Sequence, residues 1–178
     1  KVIINTDSDL IAESAINAFK DFVFIHKRPE NIQGDFVSMN KIIEYDLNNS
    51  DSDIYIQTHS TSPLLAIKSL DSAIEKMISK TKDFDSIFSV TKIQTRFYDK
   101  NGAPFNHDPK ELLRTQDLEP LFEENSGFYI FTKESFKNAG HKRIGLRPLM
   151  FEIDKIEAID IDEPSDFIIA ETLHKLLK

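Results

Sequence analysis

The sequence predicts an α/β domain with a mostly parallel β-sheet. Short apolar runs that suit buried strands alternate with longer stretches whose apolar residues recur at helical spacing. Such alternation is typical of strand–helix units whose successive strands lie parallel. The length of 178 residues suits one domain that buries roughly 70% of its unfolded surface. The alternation breaks once, at about residues 92–120, where we predict an inserted arm.

Strands and helices alternate strictly in the first half of the chain. Apolar runs predict four strands, at residues 2–5, 22–25, 54–57 and 86–91. Helical spacing predicts three helices, at residues 10–19, 36–47 and 65–80. The polar stretch at residues 6–9 offers N-caps for the first helix, and Pro29 ends the second strand. The third helix shows the pattern clearly, with Ile67, Leu70 and Ile74 on one side.

The predicted arm is too long for an ordinary connection. It contains Asn101-Gly102, a hairpin signal, and several prolines. After the arm, apolar runs predict strands at residues 127–132, 150–153 and 158–161. Helices are predicted at residues 134–138 and 164–177, and Pro164 begins the second of these. The apolar residues of that last helix are expected to face the core, namely Phe167, Ile168, Leu173 and Leu176.

Composition excludes several classes of function. The net charge of −8 argues against nonspecific binding to nucleic acid or to an anionic membrane. The absence of cysteine rules out disulfides, thiolate catalysis and cysteine zinc sites. None of the five glycines forms a glycine-rich phosphate loop. Lys1 leads directly into an apolar run, so we expect the chain to be the later part of something longer, with any phosphate loop upstream.

Asp160 and Asp162 form the first candidate site. They alternate with isoleucines, and side chains at positions i and i+2 of a strand share one face. Two carboxylates held together repel each other, and Mg2+ relieves this repulsion by taking oxygen ligands. The spacing suits a metal site and a pair of solvated acids at a strand end equally.

Other polar stretches follow predicted strands, where open α/β sheets bind ligands. They are Arg28, the hydroxyl-rich loop at residues 57–63, and residues 123–129, which combine an amide with a tyrosine. Arg114 lies in the arm and suits contact with a carboxylate or phosphate. Each stretch taken alone suits an ordinary turn, cap or solvated loop about as well as a binding site.

The order of these pieces is more specific than any one of them. The sequence resembles the acylneuraminate cytidylyltransferase family, the CMP-sialic acid synthetases, over essentially its whole length. The 3-deoxy-manno-octulosonate cytidylyltransferases are a poorer match. The motifs that carry the resemblance are Asn5-Thr6-Asp7, Arg28-Pro29-Glu30, Gln57 with Thr61-Ser62-Pro63-Leu64, Glu124-Asn125-Ser126-Gly127-Phe128-Tyr129-Ile130, and Ile159-Asp160-Ile161-Asp162-Glu163-Pro164.

The resemblance implies a fold and a reaction. The fold is a Rossmann-like, three-layer nucleotidyltransferase domain whose inserted arm builds a homodimer. The reaction transfers CMP from CTP to a nonulosonic acid, a nine-carbon 2-keto sugar acid, with Mg2+ and release of pyrophosphate. The resemblance also implies a cytoplasmic enzyme without nucleic-acid or membrane partners.

The resemblance further assigns roles to residues. Asp160 and Asp162 would hold the metal, and one of them would assist deprotonation of the attacking hydroxyl. Arg114 would approach a substrate carboxylate or phosphate, across the dimer. The cytidine would lie near Arg28, Val37 and Met39. The sugar would contact six residues, namely Gln57, Ser60, Thr61, Ser62, Asn125 and Tyr129.

The sequence departs from the family pattern at three points. The opening loop that cradles the triphosphate does not occur, two extra residues follow Gln57, and Glu123 stands where some relatives carry a basic residue. Glu123 favours a different sugar acid, of the legionaminate or pseudaminate type, and an octulosonate is a further alternative. The absence of the triphosphate loop leaves open a truncated, non-catalytic module of the same fold that only binds sugar or dimerises.

Overall fold

The computed structural model describes residues 1–79 and 82–177. The strands are β1 Val2–Thr6, β2 Val23–Lys27, β3 Tyr55–Thr58, β4 Ser86–Ile93, β5 Leu121–Phe131 and β6 Pro148–Glu152. The α-helices are α1 Asp9–Phe19, α2 Met39–Asn48, α3 Ile67–Ser79, α4 Lys133–Asn138 and α5 Pro164–Leu176. None of the helices in these ranges is long and apolar enough to cross a membrane.

The strands form two sheets. β1 and β2 pair in parallel, from Val2 opposite Val23 to Thr6 opposite Lys27. The larger sheet has the order β3-β5-β4-β6. In that sheet β4 and β6 are parallel, whereas β5 is antiparallel to both of its neighbours. Three of its four strands therefore run the same way, which confirms the predicted α/β class and shows that the sheet is mixed.

Helices cover both faces of the larger sheet. Successive side chains of a strand point to opposite faces, and those of β5 enter two different apolar clusters. Phe128 and Ile130 pack against α3, and Tyr129 and Phe131 pack against α2 and α4. The predicted three-layer arrangement is thus present. The helical residues in these clusters are Ala73 and Met77 of α3, Ile43 and Leu47 of α2, and Phe136 of α4.

Two predicted elements begin three or more residues away from their position in the structure. β5 begins at Leu121, six residues before the predicted strand at 127–132, because residues 121–124 pair with β4. α2 begins at Met39 because Ser38 caps it, its side chain accepting a hydrogen bond from Asn40 N. Residue 80, the predicted end of the third helix, lies outside the described residues.

The predicted strand at residues 158–161 is wrong. These residues form a turn and an irregular segment. Asp154 directs the chain away from extended geometry, since its side chain accepts from Ile156 N and its carbonyl accepts from Ala158 N. The predicted core face of α5 is also largely wrong, because Phe167, Ile168 and Leu176 are exposed while Ala170 is buried.

The connection between β4 and β5 occupies residues 94–120. Its tip turns at Asn101-Gly102 as predicted, with Gly102 at φ +80°. Asp99 closes the turn by accepting hydrogen bonds from Asn101 N and Ala103 N, both at 2.8 Å. We refer to this connection as the arm.

Candidate functional site

A cluster of polar side chains lies where β3 ends, and Arg143 is at its centre. Arg143 Nη1 donates to Gln57 Oε1 and Nη2 donates to the Tyr129 hydroxyl, both at 2.9 Å. The guanidinium carbon lies 3.6 Å from the centre of the Tyr129 ring. Glu124 Oε1 is 3.8 Å from Nη2. We call Gln57, His59, Glu124, Tyr129 and Arg143 the polar cluster.

The Tyr129 hydroxyl is a fixed hydrogen-bond donor. It donates to Glu124 Oε1 and lies 3.1 Å from Ser126 Oγ. Burial, reinforced by the hydrogen bond to Glu124, raises the pKa of Tyr129 to about 12. The phenol therefore stays neutral at physiological pH, and its orientation is set by the carboxylate and the arginine together.

His59 is held in one tautomer by its neighbours. Because the Gln57 oxygen accepts from Arg143, the Gln57 amide nitrogen faces His59 Nε2, at 3.1 Å. An amide nitrogen only donates, so the neutral imidazole carries its proton on Nδ1. Burial lowers the pKa of His59, the positive charge of Arg143 lowers it further, and Asp160 opposes both.

The loop that carries Arg143, residues 139–147, is anchored along its length. Arg143 N donates to Asn40 Oδ1 of α2, and Gly145 N donates to Ser86 Oγ of β4. Asp85 accepts hydrogen bonds from the backbone of both Leu146 and Arg147, at 3.0 Å. A Cβ atom at Gly145 would lie 2.1 Å from Asp85 Oδ1, so only glycine allows this approach.

The acidic segment reaches the same region. Ile161 N donates to Thr61 O at 2.9 Å, which joins the segment to the hydroxyl-rich loop. Asp160 is half-buried and close enough to influence His59, whereas Asp162 is exposed. Because residues 159–161 do not form a strand, strand geometry does not place the carboxylates of Asp160 and Asp162 on one face. Ser60 is exposed, Thr61 is half-buried and Ser62 is buried in the adjoining turn.

Asn125 has a structural role in a bulge between β4 and β5. Its Oδ1 accepts from Ser89 Oγ at 2.6 Å and from Gly127 N at 3.1 Å. Its Nδ2 donates to Thr91 Oγ1 at 2.8 Å. The bulge folds the strand so that Glu124 reaches the Tyr129 hydroxyl. Contact between Asn125 and a sugar stays a prediction.

A second polar group lies at the ends of β1 and β2. Arg28 Nε donates to Asn5 Oδ1 at 2.9 Å, and Asn5 Nδ2 donates to Asp46 Oδ1 at 2.7 Å. Asp46 also accepts from His26 Nδ1. These bonds fix one edge of the guanidinium, while Arg28 Nη1 has no hydrogen-bond partner among residues 1–79 and 82–177. Of the other residues predicted near the cytidine, Val37 is half-buried and Met39 is exposed.

Arg114 lies in the arm and pairs with Asp117. Its Nε and Nη2 donate to the two Asp117 carboxylate oxygens, at 2.7 and 3.1 Å. Both side chains are exposed. Within the described chain its hydrogen bonds connect it to neither polar group, so its predicted role toward a substrate stays a prediction.

A family model described as cytidylyltransferase matches residues 1–175. The chain belongs to the cytidylyltransferase family. Its geometry agrees with that membership, because polar groups gather where strands end, as in other open α/β sheets that bind ligands.

Similar curated proteins carry a more specific name. The chain is 30% identical over 178 residues to N-acylneuraminate cytidylyltransferase A of Danio rerio, covering 96% of this chain and 40% of that protein. It is 30% identical over 155 residues to N-acylneuraminate cytidylyltransferase of Oncorhynchus mykiss, covering 83% and 35%. Identity to the Streptococcus agalactiae serotype III enzyme of the same name is 23%, covering 94% and 41%. The chain thus spans well under half the length of these relatives.

Solved structures support the fold of this cytidylyltransferase-family chain. A CMP:2-keto-3-deoxy-manno-octonic acid synthetase complexed with CTP superposes with a TM-score of 0.64 at 11% identity, covering 100% of this chain and 82% of that one. A 4-diphosphocytidyl-2C-methyl-D-erythritol synthase from Anaerococcus prevotii superposes with a TM-score of 0.60 at 10% identity, covering 97% and 80%. The Rossmann-like nucleotidyltransferase fold is therefore shown.

The structure gathers some of the sequence-predicted residues and adds others. Gln57 and Tyr129 belong to the polar cluster, Asp160 is close enough to influence His59, and Thr61 is hydrogen-bonded to the segment that carries Asp160. Arg143 was missed by the sequence analysis. It sits in a Lys-Arg pair that is indistinguishable from a solvated charged loop; the available signal was the pair of glycines at 140 and 145, which mark a tight loop after a short helix.

Proposed function

We propose that this protein transfers CMP from CTP to an acylneuraminate-type 2-keto sugar acid and releases pyrophosphate. One observation carries the proposal: Gln57 and Tyr129, two residues assigned to the sugar by the family resemblance, are hydrogen-bonded to the same arginine, and Thr61, a third, is hydrogen-bonded to Ile161 next to Asp160. The names of the curated relatives support the same substrate class.

In the proposed reaction, the anomeric hydroxyl of the sugar acid attacks the α-phosphate of CTP. A new oxygen–phosphorus bond forms, the bond between the α- and β-phosphates breaks, and pyrophosphate leaves. Asp160 or Asp162 takes the proton of the attacking hydroxyl. Gln57 holds the sugar, and the fully buried Tyr129 supports it from behind by fixing Arg143, which brings the reacting atoms into line.

The carboxylates of Asp160 and Asp162 are oxygen donors of the kind that Mg2+ takes. No group of three or more histidine, aspartate or glutamate side chains that could hold a metal occurs in residues 1–79 and 82–177. Mg2+ in nucleotide sites commonly takes one or two carboxylates and completes its shell with substrate phosphates and water. Asp160 and Asp162 are the residues that would hold it. When bound, it would neutralise charge on the phosphates, which an acidic chain needs.

We place the nucleotide beside the second polar group, with Arg28 as the main contact. The outward edge of its guanidinium can donate to a base carbonyl or a phosphate oxygen. Met39 is the first residue of α2, the helix that also supplies Asp46, and Val37 lies two residues before it. We further propose a cytoplasmic homodimer that forms through the arm.

The test is pyrophosphate release by protein expressed from its complete coding sequence, with CTP, Mg2+ and a panel of sugar acids. We expect turnover with an acylneuraminate. Preference for a legionaminate, pseudaminate or octulosonate would redirect the substrate assignment. No pyrophosphate with any of them, together with sugar binding that does not depend on CTP, would favour a non-catalytic module.

Asp162→Asn tests the metal assignment. The substitution keeps the size of the side chain and removes its charge, so we expect turnover to fall by roughly 100-fold or more. The matched control is Asp71→Asn, which removes an exposed carboxylate on α3, away from both polar groups. Thermal unfolding should be similar for both variants. Full activity of Asp162→Asn would remove this residue from the site.

A further inference from the structure

We propose that Arg143 binds the carboxylate of the sugar acid and thereby sets the position of the attacking hydroxyl. The inference rests on the proposed function and goes beyond it by naming the residue that recognises the acid group. It concerns a residue outside the arm and outside every motif that carries the family resemblance.

The first support is the state of the guanidinium. The Arg143 side chain is only 19% exposed. Its two hydrogen bonds go to neutral partners, Gln57 and Tyr129. A guanidinium has five N–H donors, and the remaining three make no hydrogen bond to any residue that the structure describes. The nearest carboxylate, on Glu124, lies 3.8 Å away and already accepts from Tyr129.

The second support is preorganisation. Asn40 accepts a hydrogen bond from the backbone of Arg143 itself and Ser86 accepts one from Gly145, so the backbone is held, and the guanidinium rests on the Tyr129 ring. An arginine held in this way loses little conformational entropy when a ligand binds. Its planar fork matches a carboxylate better than a lysine ammonium does.

The third support is the chemistry of the substrate class. In a cyclic 2-keto sugar acid, the anomeric carbon carries both the carboxylate and the hydroxyl that reacts. A residue that fixes the carboxylate therefore fixes the hydroxyl one bond away. Arg143 and His59 belong to the same cluster. Asp160, the proposed metal ligand and proton acceptor, is close enough to influence His59.

Other arginines suit this role less well. Arg114 already makes a two-bond pair with Asp117 in the exposed arm. Arg28 directs one edge toward Asn5, beside the proposed nucleotide position. Among the arginines, Arg143 alone donates to residues that the family resemblance assigns to the sugar.

The experiment compares Arg143→Gln with the wild type on two substrates, the preferred sugar acid and the same sugar with its carboxylate converted to the primary amide. We expect the KM for the acid to rise roughly 10- to 100-fold, since a hydrogen bond to a charged group is lost. The KM for CTP should change by less than about twofold, and the amide should be used about equally by both proteins. Arg143→Lys keeps the positive charge but lacks the planar pair of donors, so its KM for the acid should lie between those of the wild type and Arg143→Gln.

Arg147→Gln is the matched control, because it removes an exposed guanidinium from the same loop. An equal loss on the acid and the amide would show that Arg143 only positions its neighbours and would overturn the proposal, as would an unchanged KM for the acid. If Arg143→Gln unfolds, Arg143→Lys supplies the same comparison. If the wild type releases no pyrophosphate, the proposed function fails, and calorimetry of acid and amide binding still decides the role of Arg143.

Discussion

His59 illustrates how a few neighbours determine the behaviour of one residue. Gln57 fixes its tautomer, and burial together with the charge of Arg143 lowers its pKa from 6.5, against the opposing effect of Asp160. At neutral pH the imidazole is therefore neutral and presents a proton on Nδ1. It can serve the site as a hydrogen-bond donor without adding a second positive charge beside Arg143.

The lowered pKa predicts a pH dependence of stability. The folded protein binds a proton at His59 less readily than the unfolded chain does, so its contribution to stability is complete above pH 6.5 and is lost as the pH falls through the folded-state value. We expect a midpoint below 6.5 in an NMR titration of His59 without divalent cations. Arg143→Gln should move that midpoint upward, because it removes a nearby positive charge.

Arg147→Gln is the control for this titration, because it removes an exposed guanidinium outside the polar cluster. It should leave the His59 midpoint unchanged. A His59 midpoint above 6.5, or one that Arg143→Gln leaves unchanged, would contradict the arrangement of charges described for the cluster.

At the scale of elements, the site depends on irregular segments that regular ones hold in place. The loop at residues 139–147 is tied to the start of β4 by Asp85 and Ser86, and Gly145 makes this contact possible. The bulge in β5 similarly depends on Asn125 and Ser89. Both irregularities bring side chains to the polar cluster that straight elements would carry elsewhere.

Gly145→Ala should loosen the loop that carries Arg143. The added methyl group would overlap Asp85, whose short side chain is held by two backbone hydrogen bonds, so the contact has to open. We expect a loss of about 1–3 kcal/mol in the free energy of unfolding, measured by chemical denaturation. The KM for the sugar acid should also rise, with that for CTP nearly unchanged.

Gly102→Ala provides a comparison at another glycine. A methyl group there meets no atom within 4 Å, although the residue has φ +80° in the arm tip. We expect it to lower stability modestly through backbone strain and to leave the KM for the sugar acid unchanged. Equal effects of both substitutions on that KM would disprove a specific link between Gly145 and the site.

The elements that the sequence predicted well are those controlled by local physical chemistry. The spacing of apolar residues located α3, and Ser8 caps α1 as its position suggested. The predicted strand at residues 158–161 is wrong, although alternating isoleucine and aspartate is typical of a strand. Asp154 and Asp166 accept hydrogen bonds from backbone N–H groups on either side of it, which favours a turn and a helix cap instead. Local patterns alone do not show that competition.

At the scale of the whole molecule, the residues that form the site could likewise be predicted from the sequence only in part. Gln57 and Tyr129 could be predicted because they lie in ordered motifs. Arg143 could not, because its significance comes from contacts 86 and 14 residues away along the chain. The burial of its charge and the choice of its partners are tertiary effects, which no single-sequence pattern contains.

The arm also bears on whether the protein forms a dimer. The arm exposes large apolar side chains, with Phe105 at 68% and Leu112 at 87%. Exposed apolar patches of this kind mark association sites. The pair Asp117 and Arg114 lies on the same arm and is available to rearrange against a partner, since exposed ion pairs contribute little stability.

We therefore expect a dimer in analytical ultracentrifugation, and Phe105→Asp combined with Leu112→Asp should shift it to the monomer by placing charges in the apolar contact. Arg114→Gln should lower turnover in the dimer, and the double variant should lower it as well, because the resemblance places Arg114 across the dimer. Ile67→Asp, a charge at an apolar residue that is 76% exposed on α3, is the control and should remain dimeric. A monomeric wild type with full activity would exclude both the arm interface and any contribution of Arg114 across it.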